Sequence, residues 1–297
     1  MDTRFWGPPA WRFLHTLTFS PGEHTATRRL FTLLPYILPC KFCRHSLTGI
    51  YDELPMPRSA TEWPAWFYKV HSRVNKKLQV SAADPSFATV KKLYEAREPA
   101  AAPFPAWDFL FAVAYTHPLS TPEAPIPDSP NCTHRCEAEK NRWNALSPQA
   151  RLKYWRAFWR VLPAALPEPW RKSWEEALEK VAPALRFAHR RSSIAWLWRM
   201  RCAFEGHGLV DLSPARRLGA RTLSQVQAPG EDLSPAGART LSQVQAPGED
   251  PYKELCNVLA YHASDCGGKT RAKTCRRFRA TMNKKRAHTH KRKQTNH

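Results

Sequence analysis

The sequence predicts an all-α protein. Apolar residues recur at helical spacing in segment after segment, and the two-residue alternation of a half-buried strand is absent. Prolines and glycines break the pattern at intervals that suit helices of ordinary length. Phe5 to Phe19 carries Trp11, Leu14, His15 and Thr18 at helical spacing, which predicts a first helix. Arg28 to Leu38 predicts a second, stopped at Pro39, and Phe42 to Leu54 a third. Trp66 to Leu78 aligns Trp66, Phe67, Val70, His71, Val74 and Leu78 along one side and predicts a fourth. A short fifth helix opens at Pro85-Ser86-Phe87 and runs through Tyr94, with Asp84 as the expected N-cap. These five elements make residues 1–98 a compact helical unit.

The next stretch changes character. Residues 99–137 read as a proline-rich linker, with eight prolines between positions 99 and 130 around one apolar stretch from Ala106 to Tyr115. Residues 138–204 are helical again and rich in tryptophan, and Trp155, Phe158 and Trp159 share the face of a buried or partner-facing helix. The segment Gly219 to Asp232 then recurs unchanged at Gly237 to Asp250. Two copies are too few for a solenoid, so residues 205–251 are expected to be a disordered linker. Residues 252–297 read as a last short helix and a solvated basic tail.

Charge is concentrated at that end. The chain of 297 residues has 46 Lys+Arg against 25 Asp+Glu, a net +21. Residues 269–297 hold 12 of those cations and no acid, leaving +9 for the rest. The tail suits non-specific attraction to nucleic acid or to an acidic partner. It lacks interleaved aromatics, so sequence-specific RNA reading is not expected. No apolar run reaches the length of a membrane span, so no membrane partner is expected. Met1 to Gly7 has no basic stretch leading into an apolar one, so a cleaved secretory signal is not expected either.

Eight cysteines are too few for a disulfide scaffold in a chain this long. Their placement is more telling. Cys40 and Cys43 form a CxxC just after Pro39, where a helix begins. Unpaired N–H groups and the helix dipole there favour a thiolate, and Lys41 and Arg44 add positive charge. Such a pair suits dithiol exchange. Zinc would need a second pair, which Cys132 and Cys136 could supply only across a long intervening segment. Haem attachment would need CxxCH, whereas His45 stands one residue too far along. No metal site is assigned. Cys132 and Cys136 read either as a mobile shuttle disulfide or as ordinary thiols.

Two flanking patterns decide between these chemistries. Gly7, Trp11 and His15 stand at four-residue intervals, so Trp11 and His15 share a helix face. His71, Val74 and Asn75 share another, followed by Lys77 and Leu78. Two helices presenting aromatic and imidazole planes suit the grip of a flat polar ring system.

With the CxxC between them, these motifs resemble the Erv/ALR family of FAD-linked sulfhydryl oxidases, particularly the thiol oxidoreductases of large DNA viruses. The resemblance spans roughly residues 4–95. It implies a four-helix bundle plus a short fifth helix, with FAD held at the bundle mouth, and the second helical region, disordered linker and tail read above follow it. It implies FAD contacts at Gly7, Trp11, His15, His71, Val74, Asn75, Lys77 and Tyr94. Cys43 would face the flavin, and Cys40 would exchange with the incoming substrate. Electrons would pass from a dithiol protein substrate through this pair and FAD to O2, giving H2O2. A homodimer through the first helices is implied as well. Localisation is left unknown, with the host cytoplasm or the virion as the expectation for a viral chain. The competing reading is a nucleic-acid-associated binding protein whose CxxC is structural or zinc-bound, and colour separates the two.

Overall fold

The computed structural model describes residues 1–80, 83–96, 103–121, 123, 125–126, 136–181, 188–207 and 251–264. Every regular element among them is helical. The chain runs α1 (Thr3–Phe19), α2 (His24–Ile37) and α3 (Lys41–Glu53), then a 3-10 turn (Ala60–Glu62) leading into α4 (Trp63–Leu78), and α5 (Phe87–Glu95). There follow α6 (Trp107–Tyr115), α7 (Glu137–Arg142), α8 (Pro148–Ala165), α9 (Glu168–Val181), α10 (Arg190–Phe204) and α11 (Pro251–Ser264). The expected all-α class and all five expected N-terminal helices are present. The tandem repeat and the basic tail lie outside the described residues.

Local chemistry sets the helix ends. Asp2 caps α1 by accepting from the Arg4 N–H at 3.0 Å. The cap of α5 is Ser86, which accepts from the Thr89 N–H at 3.2 Å. Asp84, the residue expected there, is instead taken by Asn75, whose Nδ2 donates to its Oδ1 at 2.6 Å. Either residue type can cap a helix, and Ser86 is the one placed immediately before the first turn. Gln79 ends α4 in the left-handed conformation (φ 53°), a common way to stop a helix.

Helices α1–α5 form the N-terminal bundle. Helix α1 packs against α4 and α5, and α2 packs against α3. Phe13, Leu17, Leu30, Phe31 and Val70 are fully buried between them. The faces of α1 and α2 turned away from this bundle are also covered. Helix α6 lies on α1 and α8 lies along α2. Helix α6 falls in the proline-rich stretch, yet Phe109, Leu110, Phe111, Ala112, Val113 and Ala114 are all fully buried. A helix that is apolar all round can only be stable inside a core.

The α2–α8 pair is antiparallel and is fixed at both ends. Tyr36 and Tyr154 stack with centroids 3.9 Å apart at one end. At the other, the N–H groups of Gly22 and Glu23 donate to the carbonyls of Ala165 (3.3 Å) and Ala164 (2.8 Å). Unpaired amides before α2 thus satisfy unpaired carbonyls at the end of α8.

Five of the seven tryptophans of residues 138–204 are buried in the core, and Trp143 and Trp196 are partly buried. Trp107 and Trp174 stack, Phe104 packs edge-on against Trp170, and α10 closes this cluster over α6 and α9. Trp155 reaches back to donate its indole N–H to the Val113 carbonyl at 3.1 Å. Helix α11 returns to the chain's start. Leu255 and Leu259 are fully buried, the Asp2 N–H donates to the His262 carbonyl at 2.9 Å, and the Phe5 and His262 rings stack at 4.3 Å. One continuous apolar cluster therefore joins residues on either side of position 98.

Candidate functional site: a dithiol beside an aromatic and imidazole cluster

Pro39 cannot continue α2, and the chain turns extended through Cys40 (φ −120°, ψ 124°) before entering α3. Cys40 is the N-cap residue, and its carbonyl accepts from the N–H groups of Cys43 and Arg44, each at 3.0 Å. That first turn brings the two side chains to the same end of α3, as a CxxC at a helix start requires. Neither sulfur is bridged. Cys40 is 7% exposed and Cys43 is half-buried.

The sequence places the favoured thiolate at Cys40, where α3 begins, and Cys43 within the first turn is shifted the other way. Its pKa is raised, first by its hydrogen bond with the Cys40 thiol, then by burial and by charge on Cys40. Lys77 and Arg44 pull the other way without prevailing. The physical reason is that two sulfurs in hydrogen-bond contact cannot both ionise cheaply. Once Cys40 holds the charge, Cys43 keeps its proton.

The flanking motifs converge as well. Trp11 on α1 stacks flat on His71 of α4, with centroids 3.8 Å apart and planes within 7°. His15, one turn beyond Trp11, meets His71 through Nε2 and Nδ1 at 3.1 Å. Tyr94 of α5 lies 5.3 Å from the His15 ring and stacks on Phe19. Phe67 packs beneath both Trp11 and His15. Val74 packs at the edge of the core, and Lys77 on the same helix approaches the sulfurs closely enough for its charge to act on Cys43. Asn75 engages Asp84 as described above. Asp84 also accepts from Ser72, and the two hydrogen bonds hold its carboxyl below the ordinary value.

Burial holds the imidazoles neutral. The His15 pKa is pushed down to about 3 by burial and by His71, and the His71 pKa to about 4 by burial. His45, packed edge-on against Trp143, is pushed down to about 4 by burial and by the charges of Lys77 and Arg142. An unfolded histidine titrates near 6.5, so between pH 6.5 and about 4 the unfolded chain binds more protons than the folded one. Stability rises with pH in that window. The thermal midpoint of flavin-free protein should therefore fall steadily as pH drops from 6.5 toward 4, and His71→Phe should flatten the slope. A midpoint constant across the window would show these rings to be freely protonated in the fold.

Two features fit a flat ligand here. The buried Nδ1 of His15 has no hydrogen-bond partner among the described residues. A Cβ built on Gly7, one turn before Trp11, would meet nothing within 4 Å. Nothing in the ligand-free fold thus demands glycine at that position.

Of the cysteine pair Cys132–Cys136, only Cys136 lies within the described residues. It is the exposed N-cap residue of α7. No three His, Cys, Asp or Glu side chains converge as a metal site among the described residues. Sequence reasoning missed the buried partners of Arg44. Its guanidinium reaches Glu123 and Asn144, far along the chain, and no local pattern links them.

Residues 8–95 match the model of the Erv1/Alr family, and this match covers Trp11, His15, the CxxC and His71 to Lys77, while Gly7 stands one residue before it. No curated protein and no solved structure matches the chain.

Proposed function

Starting from residues 8–95 as an Erv1/Alr-family domain, a family of FAD-linked sulfhydryl oxidases, we propose that the protein is an FAD-dependent thiol oxidase. It would form disulfides in a dithiol protein substrate and pass the electrons to O2 as H2O2. The observation that carries this reading is the gathering of Trp11, His15, His71 and Tyr94 on the helices that flank the dithiol, around a buried nitrogen that has no partner. FAD, when bound, supplies the two-electron acceptor and its reoxidation by O2.

The chain's own residues perform the exchange. A substrate thiolate attacks the Cys40 sulfur of the Cys40–Cys43 disulfide. A new sulfur–sulfur bond forms, the old one breaks, and Cys43 leaves as a thiolate. Lys77 and Arg44 favour that charge as it appears. The second substrate thiolate attacks the mixed disulfide, releasing oxidised substrate and returning Cys40 as a thiol after one proton is taken up. The Lys77 charge beside Cys43 supports its role as the sulfur that passes electrons onward. Trp11, His71 and Tyr94 would hold the ring system by stacking. His15 Nδ1 would take a hydrogen bond from it or give one to it. The homodimer remains part of this reading with one restriction. A second copy would have to dock elsewhere than on the α2 face that α8 covers.

Gly7 gives the sharpest test of cofactor contact. It lies inside α1 directly before Pro8, so the helix gain of alanine over glycine, roughly 1 kcal/mol, is opposed by the clash of a Cβ with the proline ring. Flavin-free Gly7→Ala is therefore compared with the parent by thermal unfolding first, and affinities are compared once it is shown to be folded. If the cofactor packs against that backbone, the added methyl should weaken FAD binding roughly tenfold or more, an overpacking cost of about 1–3 kcal/mol. Titration of FAD into stripped protein, read by fluorescence quenching, checks this. Equal affinity in the two proteins would remove Gly7 from the site.

A further inference from the structure

The residues that follow Cys136 grip the redox helix one after another. Asn141 is buried and donates its Nδ2 to the Pro35 carbonyl at 2.8 Å and to Thr48 Oγ1 at 3.0 Å. Arg142 pairs with Asp52, and Trp143 meets His45 edge-on at 5.6 Å. Asn144 accepts from Arg44 Nη2 at 3.1 Å. Its own backbone is left-handed (φ 55°), which asparagine tolerates better than most residues. Four consecutive residues thus each touch the corner formed by the end of α2 and by α3.

Arg44 is the centre of this grip. It is fully buried. Its Nη1 donates to the Leu38 carbonyl at 2.7 Å, spanning the turn that carries Pro39 and Cys40. Its Nη2 also donates to the Glu123 carboxylate, and Arg151 Nη1 donates to the same oxygen at 2.9 Å. Two nearly buried guanidiniums therefore share one carboxylate, and among the described residues no second carboxylate pairs with either. The strain of that arrangement shows at Arg151, whose pKa is drawn down to about 10 by burial and by Arg44's charge. Glu123, Asn144 and Arg151 all lie outside residues 8–95.

We propose that Arg44 is a positioning residue of the dithiol site. Glu123 and Asn144 hold it so that it fixes the Cys40 turn and keeps an under-neutralised positive charge one residue from Cys43. Glu123, Asn144 and Arg151 are then working parts of the redox centre. The inference rests on the redox role proposed for Cys40–Cys43, but not on flavin.

The consequence is electrostatic. Reduction of the Cys40–Cys43 disulfide takes up two electrons and breaks the sulfur–sulfur bond. It takes up two protons if both sulfurs end as thiols, and one if a sulfur stays ionised. A fixed cation favours the ionised product and so makes the disulfide easier to reduce. The cations acting on Cys43 are Lys77 from α4 and Arg44 on α3 itself, while the Lys41 ammonium lies over the Phe42 ring at 5.3 Å. Arg73 from α4 and Arg142 from α7 are paired with Glu53 and Asp52 at the far end of α3, and His45 is held neutral.

The test uses the full chain, with Cys40 and Cys43 followed by peptide-resolved mass spectrometry. Two quantities are read: the pH dependence of their alkylation by iodoacetamide, and their disulfide fraction in graded dithiothreitol buffers. Arg44→Met should slow alkylation at neutral pH about tenfold and lower the equilibrium constant for reduction about tenfold, close to 30 mV. Glu123→Gln removes the one neutralising charge and should move both quantities the opposite way by several-fold. Arg44→Met within about twofold of the parent on both readouts would overturn the proposal, because the charge would then not be felt. So would Glu123→Gln moving in the same direction as Arg44→Met, which is the mark of simple loosening. If Arg44→Met does not fold by circular dichroism, the sign of the Glu123→Gln shift decides. If the parent forms no Cys40–Cys43 disulfide at any buffer ratio, the oxidase reading fails, and the alkylation profile alone judges Arg44.

Discussion

Cys43→Ser should abolish dithiothreitol oxidation while leaving flavin bound, and Cys40→Ser should abolish it in a different way. Both sulfurs stand at the start of α3 in mutual hydrogen-bond contact, so neither variant can close the disulfide. What distinguishes them is the thiol that remains. In Cys40→Ser, Cys43 loses the two largest influences of its partner, the thiol hydrogen bond and the charge that opposed its ionisation. Lys77 and Arg44 still favour its thiolate, so its pKa should fall from its raised position. A thiolate packed against an oxidised flavin donates charge to it, giving a broad long-wavelength absorption band. That band should appear in Cys40→Ser, strengthen as pH rises, and be absent from Cys43→Ser. If it appears in Cys43→Ser instead, the two cysteines have exchanged roles.

Gly22→Ala should be the most damaging single methyl outside the redox pair. A Cβ at this position would run into the backbone oxygens of Ala164 and Leu166 and the carbonyl carbon of Ala165. Those are main-chain atoms at the end of α8 and cannot rotate aside. The same contact carries the two amide bonds from Gly22 and Glu23 that close one end of the α2–α8 pair. Overpacking of this kind costs about 1–3 kcal/mol, and here it adds to weakened hydrogen bonds. For a folded unit of this size each kcal/mol lowers the thermal midpoint by about 2–4 °C, so a drop of several degrees is expected. Urea denaturation of parent and variant checks it. An unchanged midpoint would mean that α8 does not press on α2 at this point.

The N-terminal helices were legible because each is amphipathic and ends at a residue that stops helices, Pro39 between α2 and α3 being the clearest. The cap of α5 was misread because Asp84 and Ser86 are both good caps, and only the side chain of Asn75 decides between them. Helix α6 was visible as an apolar stretch. Its burial on every side was less visible, because nearby prolines suggested a tether where the chain places a core helix. The site divided in a similar way. Trp11, His15 and His71 follow from spacing on single helices, and Lys77 from the family resemblance. The sequence places Arg44 as a positive charge beside the CxxC but carries no sign of its burial, because arginines are mostly exposed. Its partners Glu123 and Asn144 are 79 and 100 residues away in sequence, and no periodicity can report contacts over that distance.

The central claim is that a bound flavin accepts electrons from Cys40–Cys43, and one measurement addresses it directly. Purified full-length protein is examined for visible flavin absorption, then mixed with dithiothreitol in air while thiol loss and hydrogen peroxide are followed together. The account predicts a yellow protein that releases FAD on denaturation and forms one H2O2 per dithiol oxidised. It also predicts that the flavin bleaches when dithiothreitol is added without oxygen. A well-folded colourless protein that takes up no FAD and holds zinc at its cysteines would contradict it.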